Sequence, residues 1–137
     1  MPEIAAVTIC SSSKFYGTAQ LAEAAFRDLG ITVYTPRYDF NEQHVRVDEP
    51  DKIRLTRDFL AKIATSDAIF VVANGGYAGV SVCIEVGYAV GQGKLVLFSE
   101  QPAEFALRAL VDAVVPVENI AAGMRSVTGS EATRSAP

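Results

Sequence analysis

The sequence is poor in the residues that build metal centres and disulfide frameworks: its 137 residues include two cysteines, Cys10 and Cys83, and one histidine, His44. The two cysteines have no metal-ligand spacing, which suits a reducing cytoplasm, and neither a metal nor a cofactor is expected. A nucleophilic Cys83–His44 pair is disfavoured, because His44 lies in a polar loop and free cysteine is more often a small core hydrophobe. Basic charge is also short. A net charge of -4 argues against a nucleic-acid backbone as partner, which needs a basic surface, although a local pocket can still be positive enough for a small anion. No apolar run of about 18 residues is free of polar breaks, so no membrane span is expected. The opening MPEIAAVTIC lacks the basic start and small-residue cleavage site of a leader and predicts a first strand. There is no G-x-G-x-x-G after that strand and no G-x-x-x-x-G-K-[ST] loop, so the dinucleotide and P-loop readings fail.

What is present is enough for one domain with a real core. Half of the residues are hydrophobic and 20% are charged, ordinary for a globular protein. The chain is organised around residues 68–93, AIFVVANGGYAGVSVCIEVGYAVGQG, in which Glu85 is the only charged residue. This stretch predicts a strand over Ala68–Val72, a break at Asn74-Gly75-Gly76, and an apolar helix through Val80, Cys83, Ile84, Tyr88 and Val90. No Lys, Arg or His stands three or four residues from Glu85. A carboxylate without a local partner is costly to bury and is kept where a shifted pKa is useful. The alternative is that Glu85 pairs with a distant arginine or points to water.

Read in order, Ile4–Cys10 predicts a buried strand, Thr18–Leu29 a helix stopped by Gly30, and Ile31–Thr35 a second strand closed by Pro36. Residues 37–50 are polar and aromatic without periodicity, a long loop near a site. Asp51–Thr65 reads as a helix, Leu95–Phe98 as a fourth strand, Pro102–Val111 as a helix, Ala113–Val117 as a short fifth strand, and Val117–Met124 as a last turn or two. Residues 1–124 thus form the domain, and 125–137 a small, polar, disordered tail. Strands alternating with helices imply an α/β fold, a flavodoxin-like (Rossmann-like) doubly wound five-stranded parallel sheet. In such sheets ligands bind beyond the carboxyl ends of the strands, near the switch in strand order.

That edge gathers Ser11, Ser12 and Ser13, the Gly75-Gly76 loop, and the start of the Glu85 helix. Glycines allow close backbone approach, a helix start offers free N–H groups, and Ser81 with the serine cluster adds hydroxyls. Together they suit a phosphate or a sugar. Taken singly, each residue reads as readily as a turn or a helix cap.

The pattern ICSSSKFYG, a second strand bounded by Gly30 and Pro36, and SDAIFVVANGGYAGVSVCIEVGYAVGQGKLVLF resembles the nucleoside 2-deoxyribosyltransferase superfamily. That superfamily includes 2'-deoxynucleoside 5'-phosphate N-hydrolases and CMP N-glycosidases. The resemblance covers about Val7 to Ser99, with Glu85-Val86-Gly87-Tyr88-Ala89 followed by Gly93-Lys94 its most specific piece. It implies a flavodoxin-like fold, a homodimer or larger homo-oligomer whose partner chain helps to complete the pocket, and cleavage of an N-glycosidic bond. Glu85 matches the catalytic glutamate, which attacks the anomeric carbon or stabilises an oxocarbenium-like transition state. Asp58 and Asp67 are candidates for the acid that protonates the leaving base; Asp67, just before an apolar strand, has a structural position. Phe15 and Tyr16 match the loop that packs on the base, and Tyr88 lines the sugar pocket, with core packing the alternative for all three. Gly79 stands where transferases of this superfamily carry Asp and phosphate-specific hydrolases carry Ser, and Ala73-Asn74 reads as an insertion.

The expected function is cleavage of a nucleoside or nucleoside 5'-monophosphate, by hydrolysis rather than transfer because the serine-rich first loop suits phosphate. The alternative from another class is a nucleotide-binding sensor or scaffold domain without turnover. An enzyme like the cytokinin-type phosphoribohydrolases is disfavoured, since the loop lacks their PGG-x-GT and nearby arginine. A flavin binder is a more distant reading, testable by colour.

Overall fold

A computed structural model describes residues 3–135, with side chains to residue 128. The five strands β1 (Ala6–Ser11), β2 (Thr32–Tyr34), β3 (Ala68–Val72), β4 (Leu95–Phe98) and β5 (Ala113–Val114) form one all-parallel sheet in the order β2-β1-β3-β4-β5. The strand order reverses between β1 and β3, which are paired from Val7 with Ala68 to Ser11 with Val72. This is the flavodoxin-like arrangement expected from the alternation of strands and helices.

Side-chain alternation along the strands divides the core. Val7 and Ile9 of β1, with Phe70 and Val72 of β3, face α1 (Tyr16–Asp28) and α5 (Ile120–Ser135) through Ala19, Ala22, Phe26, Ile120 and Met124. Cys10 of β1, with Ile69 and Val71 of β3, faces α2 (Glu49–Thr65) and α3 (Val80–Gly91) through Ile63, Val82, Val86 and Ala89. β3 is buried along its whole length, as a central parallel strand covered on both faces must be. The α2 start is set by Asp48, whose carboxylate accepts from the Asp51 amide, with Pro50 in the first turn. Asp67 holds the sheet edge: one carboxylate oxygen accepts from the Ala5 and Ala6 amides at 2.8 and 3.0 Å.

Two segments differ from expectation. Only Phe105–Arg108 (α4) is helical within the expected 102–111 helix: Glu104 caps its start by accepting from the Ala106 amide, and the residues before it are held elsewhere, the Ala103 amide donating to the Gly76 carbonyl and Arg108 Nε to the Pro102 carbonyl. α5 runs to Ser135, past the last turn or two expected before a tail at 125, and Val127 is buried in the core cluster on the α1 side of the sheet. Residues 136 and 137 of the expected tail lie outside the described residues.

Candidate active site

The carboxyl ends of β1 and β3 open into a cavity of about 560 Å³ between α2 and α3. Its walls come from the three segments that leave the sheet near the switch point. Ser11, Ser12, Ser13 and Tyr16 follow β1; Arg37, Phe40, Glu42 and Gln43 follow β2; Tyr77, Gly79, Ser81 and Glu85 follow β3. Helix α2 closes the side with Lys52, Asp58, Phe59 and Lys62.

Glu85 lies one turn and a half into α3, on the inward face that also carries Val82, Val86 and Ala89. Burial pushes its carboxyl up to about 8, because a charge loses solvation there that nearby groups only partly replace. The neighbouring Cys10 thiol and the Lys52 ammonium oppose that rise. Cys10 is fully buried and its own pKa is raised well above the usual thiol range by burial and by Glu85. Tyr16, edge-on to Tyr38 at 5.1 Å between centroids, is pushed up to about 12 by burial and by Glu85 and Glu42. A half-buried acid bordered by a thiol, a phenol and one ammonium is built to hold or release a proton. Replacing Cys10 by Ala therefore removes a polar group that favours the ionised form and is expected to raise the Glu85 pKa by about half to one. Carboxyl-carbon NMR titration reads this directly, and Cys10→Ser should restore most of the difference.

The structure places Ser11, Ser12, Ser13, Tyr16, Asp58, Gly79, Ser81 and Glu85 on the cavity wall together. Asp58 is exposed and also borders a shallower groove with Arg54 and Arg57 on the outer side of α2. Four other candidates lie off the wall. Phe15 packs on the α1 side of the core, and Tyr88 on the α2–α3 side, so core packing accounts for both. Gly75 and Gly76 have φ of +65° and +81°, and a Cβ on Gly76 would come 2.9 Å from both the Ala103 nitrogen and the Gln101 carbonyl oxygen. The glycine pair thus brings the loop against the chain after β4. The serines are already committed in part: Ser11 donates to the Ser12 carbonyl, Ser12 accepts from the Lys14 amide, and Ser13 accepts from Gln43.

Sequence reading missed Tyr77, Lys52 and Lys62 as wall residues. Helical spacing offered a signal for α2, since Lys52, Leu55, Phe59 and Lys62 share one face, but nothing local says that this face looks into a cavity. Lys52 also pairs with Glu42 at 2.7 Å, and Arg37 with Asp39 at 2.7 Å. Among the described residues no group of three or more His, Cys, Asp or Glu is placed to hold a metal ion, and no helix is long and apolar enough to cross a membrane.

Fold and cavity define a flavodoxin-like α/β protein with a half-buried carboxyl at its switch-point cavity. No protein-family model matches the chain, and no curated protein matches its sequence. Among solved structures it is similar to a 2-deoxyribosyltransferase from Bacillus psychrosaccharolyticus, at 21% identity and a TM-score of 0.61, covering 81% of this chain and 83% of that one. It is also similar to a conserved protein from Enterococcus faecalis V583, at 18% identity and a TM-score of 0.59, covering 90% of this chain and 99% of that one. The fold is nucleoside 2-deoxyribosyltransferase-like.

Proposed function

We propose that the protein cleaves the N-glycosidic bond of a nucleoside or nucleoside 5'-monophosphate, with hydrolysis favoured over transfer of the sugar to another base. The observation that carries this reading is Glu85, a half-buried carboxyl on the wall of a cavity large enough for such a ligand. The similarity of the fold to a 2-deoxyribosyltransferase supports it. In its ionised form Glu85 attacks the anomeric carbon as the bond to the base breaks; the base leaves with a proton from Asp58 or water. Water then opens the glycosyl ester and restores the carboxylate. Of the basic side chains on the wall, Arg37 and Lys52 are paired with Asp39 and Glu42, and Lys62, in no ion pair among the described residues, is the one available to a 5'-phosphate. Chromatographic detection of free base from a panel of ribo- and deoxynucleosides and their 5'-monophosphates, with and without an acceptor base, tests the reading. Base released without acceptor identifies a hydrolase, release only with acceptor a transferase, and no release from any substrate refutes the proposal.

A binding domain without turnover is the second reading. It is favoured by the raised pKa of Glu85, which keeps the group protonated at neutral pH when the cavity is empty.

The outer face of α3 supports the proposal of a homodimer. Val80, Ile84 and Val90 are exposed there at 80%, 52% and 41%, and Cys83, Gly87 and Gly91 recur at four-residue intervals beside them. A two-fold axis would pack this face on its own copy, and Val80 also lines the cavity, so a second subunit would border the site. Ile84→Glu is expected to turn a dimer into a monomer in sedimentation velocity; an unchanged sedimentation coefficient would exclude this interface.

A further inference from the structure

Residues 41–47, between β2 and α2, form one side of the cavity without belonging to the core. Glu42, Gln43 and Val47 line the wall, yet no residue from 41 to 47 is buried. The turn that shapes this strap is local. Asn41 accepts through its side chain from the Gln43 amide at 2.8 Å, and through its carbonyl from the His44 and Val45 amides at 3.0 and 2.9 Å. Two side-chain contacts tie the strap to other parts of the wall. Gln43 donates to the Ser13 hydroxyl at 3.2 Å, and the Glu42 carboxylate meets the Lys52 ammonium of α2 at 2.7 Å.

The second tie occupies a charge that an anionic ligand would seek. Glu42 and Lys52 both line the cavity, and the pair stands close to Glu85: Glu42 and Glu85 both push the Tyr16 phenol up, and Lys52 opposes the rise at Glu85. The Lys52 and Glu42 side chains are 46% and 52% exposed. An ion pair this open to water is weak, because solvent screens it and two long side chains must be ordered to make it. A phosphate dianion carries more charge than a carboxylate and offers three acceptor oxygens. It can therefore replace Glu42 on the same ammonium at little cost, and Lys52 then joins Lys62 as a cation open to the ligand.

We propose that Glu42 is an internal competitor for the ligand's 5'-phosphate, which takes the Lys52 ammonium from it and leaves the strap on the Gln43–Ser13 contact alone. This rests on the N-glycosidic reading and narrows it to nucleoside 5'-monophosphates, because an uncharged nucleoside cannot make the exchange. Until the exchange happens, Glu42 compensates the charge of Lys52 in the empty cavity. A carboxylate already in place also discriminates against weaker anions, so the device gives up affinity for selectivity.

The test titrates adenosine and cytidine 5'-monophosphates, and the two nucleosides, into Glu85→Gln protein, where turnover does not consume them. The readout is the ratio of nucleotide to nucleoside affinity. Adding Glu42→Gln is expected to raise that ratio roughly 2- to 5-fold, since an amide does not hold the ammonium against the phosphate. Lys52→Met should lower the ratio, and in its presence Glu42→Gln should lose most of its gain. Ribose 5-phosphate, which has no base, should follow the nucleotides. An unchanged or lowered ratio in Glu42→Gln would overturn the inference, because Glu42 would then have no part in phosphate binding or would hold Lys52 in place for it. So would a gain of the same size in Lys52→Met protein, which would mark general repulsion instead of exchange at Lys52. Either result beside base release by the wild-type chain would leave the N-glycosidic reading standing. A chain that binds none of these ligands and releases no base would overturn both.

Discussion

Glu85→Gln is expected to lower base release by on the order of 10³-fold or more while raising stability at alkaline pH. The loss follows from the role proposed for the group, since an amide can neither form the glycosyl ester nor stabilise the oxocarbenium-like charge to the same degree. The gain follows from burial. Folding moves the carboxyl from its ordinary value near 4.5 up to about 8. Below about 4.5 both folded and unfolded chains hold the proton and the shift has no effect on stability. Between about 4.5 and 8 the unfolded chain releases the proton while the folded chain keeps it, so stability falls by up to roughly 1.4 kcal/mol per pH unit. Above about 8 both are ionised and the loss is complete. Glutamine removes this slope. Thermal unfolding from pH 5 to 9 should therefore show a flatter profile for the variant, with a Tm several degrees higher at pH 8.5. An equal decline in both proteins would mean that Glu85 is not the group responsible.

The same pKa sets the direction of the activity profile. A nucleophile must be ionised, so kcat/KM is expected to rise with pH and level off above about 8. A fall over that interval would assign Glu85 to proton donation instead.

Gly76→Ala is expected to destabilise the fold by about 2–4 kcal/mol, as the sum of two effects. At φ of +81° an alanine pays backbone strain, and its Cβ would lie 2.9 Å from the backbone nitrogen of Ala103 and from the carbonyl oxygen of Gln101. Backbone atoms in a bonded loop cannot turn aside as a flexible side chain can, so the loop must move. That displaces the hydrogen bond from the Ala103 amide to the Gly76 carbonyl, 2.9 Å long, and with it Tyr77 and Gly79 on the cavity wall. Gly75→Ala is a useful comparison. It has the same sign of φ but nothing within 4 Å of the added carbon, so only the strain applies, about 1 kcal/mol. Chemical denaturation of the two variants separates clash from strain; equal losses would show that the Ala103 contact contributes nothing.

Local pattern was enough for the main elements, because each strand and helix buries one stripe or one apolar run that repeats at its own period. β3 and α3 lie within residues 68–93 as read from the sequence. The helix over 102–111 was not legible in its true extent. The Ala103 amide is taken by Gly76, 27 positions earlier, and local propensity carries no information about such a bond.

The sequence by itself determined the alternation of strands and helices, the parallel sheet, the edge at which a ligand would sit, and the one carboxylate without a local partner. Those are properties of spacing along the chain. The tertiary structure decided which faces meet across the switch point. It turned Cys10 towards Glu85 and raised the pKa of both. It also placed Lys52, Lys62 and Asp58 of α2 opposite the β1 and β3 loops, and set Tyr77 rather than Phe15 on the cavity wall. Burial and through-space charge depend on groups distant in sequence, and only the packed sheet and helices bring those groups within a few ångströms of one another.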